Sequence, residues 1–127
     1  MLSSSRCRAH IVSDDAVYGG YVSLRRVELC MPNGQRTERH IEDHGTSITV
    51  LPFDPVRRTA LLVSMPRAPV IDVGEEDLLE AIAGAIEGES PEECVRREAL
   101  EEAGVCLRGL IPVGQLWSMP SLSKERI

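Results

Sequence analysis

Aromatic side chains are scarce in this 127-residue chain: Tyr18, Tyr21, Phe53 and Trp117 are the whole set. Base stacking on an aromatic platform, common among single-strand nucleic-acid binders, therefore has little to work with. A cationic excess is also missing, since 14 Lys and Arg face 20 Asp and Glu for a net charge of -6. That balance argues against broad attraction to nucleic acid or to an anionic membrane. Cys7, Cys30, Cys94 and Cys106 form no C-x-x-C pair and share no spacing. Free thiols in a reducing compartment are expected rather than a disulfide framework or a thiolate metal site. The opening MLSSSRCRAH has no apolar signal-peptide core. No run approaches the roughly twenty apolar residues of a membrane span. A soluble cytoplasmic protein is expected. The length suits one globular domain and is too short for two.

The charge is unevenly placed. Between Glu75 and Val105 lie eleven acidic residues and two basic ones, Arg96 and Arg97, a net of -9 that leaves +3 for the remainder. Thirteen of the fourteen cations are Arg. Its planar fork suits carboxylates and phosphates, although an Arg excess also fits genomic base composition.

Tyr21–Met31 alternates apolar and polar residues imperfectly, meets Pro32-Asn33-Gly34, and returns as a polar Gln35–Asp43. Asn-Gly favours a tight hairpin, which must then pack across another subunit or onto a main sheet. Thr46–Phe53 and Thr59–Met65 are apolar enough for two central strands of one meander, with Pro66 and Pro69 ending the second. Leu78–Ile86 fits either a buried strand or a short helix. Ser90, Pro91 and Glu93 form a helix start with a capping box, and Gly104 supplies the stop, predicting a helix over Pro91–Ala103. Its apolar stripe is narrow: Cys94, Val95, Ala99 and Leu100. Val105–Trp117 reads as a further strand kinked between Gly109 and Pro112. The order of elements indicates a layered α+β fold.

On the predicted helix Glu98, Glu101 and Glu102 stand at i, i+3 and i+4, about 5–6 Å apart at their Cβ atoms. Three like charges repel unless cations neutralise them, and hard divalent ions such as Mg²⁺ take oxygen ligands while bridging carboxylates to phosphates. The plainer alternative is a solvated face on which Arg97 pairs with Glu93 and Glu101.

The surrounding pattern is more specific. Glu89, seven residues, Arg97-Glu98, two residues, Glu101-Glu102, one residue, Gly104-Val105 resembles the box of the Nudix hydrolase superfamily. The likeness is closest to the nucleoside-diphosphate-sugar branch, the ADP-ribose and GDP-mannose pyrophosphatases. It extends to Leu78–Gly84, to Arg67, to the polar hairpin and to Pro120–Arg126, covering about Tyr18 to Ile127. The resemblance implies a mixed β-sheet with α-helices in an α/β/α sandwich. It implies an N-terminal strand and hairpin region over residues 1–45, acting as a dimerisation arm, and a Nudix domain over residues 46–127.

It also implies roles. Glu98 and Glu102 would bind Mg²⁺ or Mn²⁺ with the backbone carbonyl of Ala83. Glu101 would be a third ligand or would accept a proton from metal-bound water. Arg97 would orient the cluster with support from Glu89. Arg67, Glu80 and Gly84 would meet the nucleotide-sugar, and Glu125 the phosphates or the attacking water; the plainer alternatives are a surface Arg67 and a solvated Glu125.

Departures from the pattern are local. Ala83 stands where the pattern has Gly, with Gly84 following in a loop one residue short; Ala99 replaces a larger aliphatic; Ser121 and Leu122 replace two turn glycines. The chain stops 22 residues after Val105, so the last strand, a base-bearing loop and a closing helix are expected to be missing. The expected activity is Mg²⁺-dependent hydrolysis of the diphosphate of a nucleoside diphosphate sugar by a homodimer. The alternative is a non-catalytic module that binds such a compound as a sensor or assembly partner. A nucleoside-triphosphate hydrolase is a third, less favoured option.

Overall fold

The structure, a computed structural model, describes residues 8–127. Cys7 lies outside the described residues. The chain divides into two compact units, one reaching to Gly45 and including Leu116–Arg126, the other spanning Thr46–Gln115 with Ile127.

The first unit is a three-stranded antiparallel sheet, β1 (His10–Gly19), β2 (Ser23–Cys30) and β3 (Arg36–Asp43), in the order β1-β2-β3. The β2–β3 hairpin forms where expected. Gly34 takes φ 82°, Met31 N–H donates to the Gln35 carbonyl at 2.8 Å, and the Asn33 side chain accepts from Gln35 N–H at 3.1 Å. β1 lies in the region where the resemblance implies an N-terminal strand, but no periodicity in the sequence marks its limits. Every one of its residues is exposed, so no buried face imprints an alternation on the sequence. Ladder bonds to β2 hold it, with Asp14 paired to Arg25 and Asp15 to Arg26, the latter at 3.4 Å. Val27 is the fully buried apolar residue of this sheet. The returning segment adds a parallel bridge between Ser123 and Glu42.

In the second unit β4 (Ser47–Val50) pairs antiparallel with β7 (Ile82–Ala85), so of Leu78–Ile86 the second half is a strand, while Leu78 and Leu79 are exposed outside it. The expected meander of two central strands is not what forms. Thr46–Phe53 is broken after Val50 at Leu51-Pro52, and Thr59–Met65 keeps only β6 (Thr59–Ala60), paired with β5 (Phe53–Asp54). Pro52 has no N–H to donate, and Val63 makes a single bridge to Glu80 instead of extending a ladder. The β5–β6 turn is set by Asp54, whose carboxylate accepts from Val56 and Arg57 N–H at 2.9 and 3.1 Å.

Pro69 does not end an element; it lies in the first turn of a short helix, α1 (Ala68–Asp72), where its fixed φ suits entry and no N–H is needed. The strand expected over Val105–Trp117 is absent: Gly109, Pro112 and Gly114 interrupt any ladder, and Ile111 and Val113 are exposed. Leu107 and Leu110 from that stretch instead pack against the core.

α2 (Pro91–Ala103) has the expected limits. The Ser90 hydroxyl accepts from Glu93 N–H at 3.3 Å, the Glu93 carboxylate accepts from Ser90 N–H at 2.9 Å, and Gly104 closes the helix at φ 65°. Cys94, Val95 and Ala99 are buried, whereas Leu100 is exposed and drops out of the stripe. With Ile48, and with Val50 and Ile86 alongside, Cys94 and Val95 make a core that fastens α2 to β4 and β7. No helix among the described residues is long and apolar enough to cross a membrane.

Because two short-range devices delimit α2, each is separately testable. Ser90→Ala is expected to lower the unfolding free energy by about 1 kcal/mol. Gly104→Ala, which puts a Cβ on left-handed backbone, should also cost about 1 kcal/mol. Urea unfolding followed by circular dichroism reads both, and unchanged midpoints would show that the helix ends do not limit stability.

Candidate functional site

The site of interest begins with strand parity. Residues of an antiparallel ladder alternate between pairs that exchange hydrogen bonds and pairs whose backbone groups turn away. Ile86 N–H donates to Thr46 at 3.0 Å, so Gly84 also faces its partner Ile48, and Ala83 and Ala85 face the other way. That side is where α2 packs. The Ala85 carbonyl accepts from Cys94 Sγ at 3.3 Å and Arg97 Nη2 at 3.4 Å. The backbone of Ala83 hydrogen-bonds Glu102, and by the same parity its carbonyl is directed to this side.

Arg97 is the hub of the helix face. Its guanidinium donates to Glu89 through Nη2 at 2.6 Å and Nε at 3.2 Å, and through Nη1 to Glu98 at 2.7 Å and Glu101 at 3.2 Å. Glu93, the other partner of the plainer reading, is engaged in the capping box. Hydrogen bonds donated first to Glu89 and then to Glu98 push Arg97 still further above its ordinary range, and Arg97 in turn holds Glu89 below the usual carboxylate value.

Glu98 is nearly enclosed, with 13% of its side chain exposed. It fits because residue 84 has no side chain: a Cβ on Gly84 would stand 2.1 Å from the Glu98 carboxyl. One turn further on, Glu102 has a buried oxygen, Oε2, with no hydrogen-bond partner. Burial pushes its pKa up, and the nearby Glu98 charge pushes the same way, against relief from Arg67 and the Ala83 backbone. Among the described residues no three acidic, His or Cys side chains converge as a cation cage, because Arg97 draws in the carboxylates of Glu98 and Glu101. The donor set still suits a hard divalent ion. Glu102 offers an oxygen that nothing satisfies, and Glu98 sits beside it in the glycine cradle.

Arg67 and Glu80 are brought together by a 2.8 Å ion pair, and Glu80 is tied by its backbone to Val63. Arg67 is thus a paired residue with 41% of its side chain exposed. Glu125 belongs to the first unit, where His44 Nε2 lies 3.1 Å from its carboxylate; with 15% of its side chain exposed it is not a solvated loop acid.

Two contributors escaped sequence reasoning. Cys94 looked only like core, yet its thiol, raised to about 11 mainly by burial, donates to the same carbonyl that Arg97 reaches. The Ala85 carbonyl itself carries no residue-type signal; strand parity counted from β4 is the cue that locates it.

A model of the NUDIX domain matches residues 43–124. The ADP-ribose pyrophosphatase of Escherichia coli (strain K12) is 38% identical over 123 residues, covering 91% of this chain and 59% of that protein. The GDP-mannose pyrophosphatase of Salmonella choleraesuis (strain SC-B67) is 30% identical over 123 residues, covering 92% of this chain and 64% of that protein. The chain therefore spans about three-fifths of the length of these curated relatives. A crystal structure described as an ADP compounds hydrolase superimposes with TM-score 0.79 at 22% identity, covering 98% of this chain and 66% of that one, a likeness of fold.

The half-satisfied acid Glu102 generates a prediction with a definite sign. A carboxyl whose folded pKa is raised costs nothing below its ordinary value and increasingly destabilises the fold as pH climbs past it. Glu102→Gln should therefore stabilise the metal-free chain at neutral pH by about 1 kcal/mol, the scale of one buried unsatisfied group. The gain should vanish below about pH 4. Urea unfolding at the two pH values checks this, and a destabilised variant at neutral pH would contradict it.

Proposed function

This chain belongs to the NUDIX domain family, and on that footing we propose that it hydrolyses the diphosphate linkage of a nucleoside diphosphate sugar. ADP-ribose is the first candidate and GDP-mannose the second, following the activities named for the two relatives. Water adds across the bridging P–O–P: a new bond forms from the water oxygen to one phosphorus, the bridging bond breaks, and a nucleoside monophosphate and a sugar phosphate leave. The observation that carries this reading is the pair of carboxylates on one face of α2, Glu98 in the Gly84 cradle and Glu102 with its unsatisfied oxygen.

In this proposal Glu98 and Glu102, with the Ala83 carbonyl, hold Mg²⁺ or Mn²⁺, and Glu101 is a third ligand or a proton acceptor. A divalent ion so held neutralises the diphosphate and lowers the pKa of bound water. Arg97 fixes the carboxylates by ion pairs to Glu89, Glu98 and Glu101. Arg67 and Glu80 present a paired cation and acid to the sugar-nucleotide. Gly84 keeps the space beside Glu98 clear. A homodimer formed through the three-stranded sheet belongs to the same proposal, supported by exposed Ile11, Val12, Val17 and Tyr18 on β1. The free thiols of Cys30, Cys94 and Cys106 suit the reducing cytoplasm.

The test follows monophosphate release from ADP-ribose and GDP-mannose with Mg²⁺. Turnover should stop with a chelator and fall by about 100-fold in Glu98→Gln and in Glu102→Gln. Binding of either compound without turnover would favour the non-catalytic module, and turnover unaffected by Glu102→Gln would remove the metal assignment.

A further inference from the structure

The end of β3 carries a cluster centred on His44, a residue to which the proposed hydrolysis gives no role. His44 Nδ1 lies 2.5 Å from Glu42 Oε1, and His44 Nε2 lies 3.1 Å from Glu125 Oε1. A neutral imidazole has one N–H and one lone pair, so only the doubly protonated ring can donate to both carboxylates. The neutral ring must set a lone pair against one of them. Both acids are mostly enclosed, with 17% and 15% of their side chains exposed, so solvent screens the loss less than at an open surface.

We propose that His44 is a proton-operated clasp: its imidazolium, bonded to Glu42 and Glu125 together, tightens residues 118–125 onto the end of β3, and loss of the proton loosens them. The inference stands on the first unit alone and does not rest on the activity proposed above.

The neighbouring charges set its sign. β3 presents Glu42 and Asp43, the segment presents Lys124 and Glu125, and Arg25 of β2 acts on Asp43 while paired with Asp14. Lys124 is paired with Asp43, and Arg126 follows Glu125 in the segment with its guanidinium over Trp117. Hydrogen bonds donated first to Glu42, then to Glu125, raise the His44 pKa against the opposing effect of burial. The tightening is fully present below the ordinary histidine value of about 6.5 and is lost as pH rises through the raised one. Other contacts do not depend on this proton, so the segment loosens rather than detaches. Ser123 Oγ donates to Glu42 at 2.6 Å, Lys124 pairs with Asp43 at 2.5 Å, and Glu42 N–H and Lys124 N–H bond the Leu122 and Glu42 carbonyls at 2.9 Å each.

Those last two amides are the reporters. In the full chain, NMR should show the His44 ring titrating above about pH 6.5. Hydrogen-exchange protection of the Glu42 and Lys124 amides, corrected for intrinsic exchange, should fall through the same pH, about tenfold per unit of elevation. His44→Gln should show the loosened level even in acid, and Glu125→Gln should move the His44 midpoint back toward its ordinary value. Protection that stays constant through the His44 titration overturns the proposal, as does His44→Gln protected like the parent in acid. If His44→Gln does not fold, the parent titration and Glu125→Gln decide alone.

Discussion

The second unit depends on a single cation. Within its most acidic stretch, the fork of Arg97 is shared among Glu89 from the preceding loop, Glu98 and Glu101 from its own helix, and the Ala85 carbonyl from β7. Removing it would leave four acceptors facing one another across the helix–strand contact. A lysine could supply the charge but not a planar set of five donors aimed at several oxygens at once. The same contacts that make the helix tolerable also orient Glu98, so positioning of the site and survival of the fold share one side chain.

Close approach of α2 to β7 is the second condition, and small residues supply it. Ala99 is fully buried and Gly84 has no side chain to obstruct Glu98. A larger aliphatic at 99 would thicken the layer between helix and strand. The missing side chain at Gly84 is what allows a carboxylate to lie against the strand backbone.

Legibility followed how local each cause was. The limits of α2 were readable because Ser90, Glu93 and Gly104 act within a few residues of themselves, and the β2–β3 turn because Asn33-Gly34 admits positive φ. The carboxylate face was readable from helical spacing alone. β1 was not, since its stability comes from cross-strand ladder bonds and charge pairs with β2 and not from a buried face. Thr59–Met65 and Val105–Trp117 do not form the long strands expected because apolar content says nothing about whether a partner edge exists: the first keeps a two-residue ladder to β5 and one bridge to Glu80, and glycine and proline interrupt the second. The Gly84 cradle and the orphaned oxygen of Glu102 arise only when strand and helix meet, so no linear pattern encodes them. Glu125 was legible as an acid after a turn, but its contact with His44, 81 residues away, was not.

The unsatisfied oxygen of Glu102 has an evolutionary side. A neutral residue at that position would relieve the fold of a buried charge, so a lineage freed from any need for the acid would drift away from it with nothing lost in robustness. The resting chain, taken alone, thus gives no structural reason for an acid at position 102.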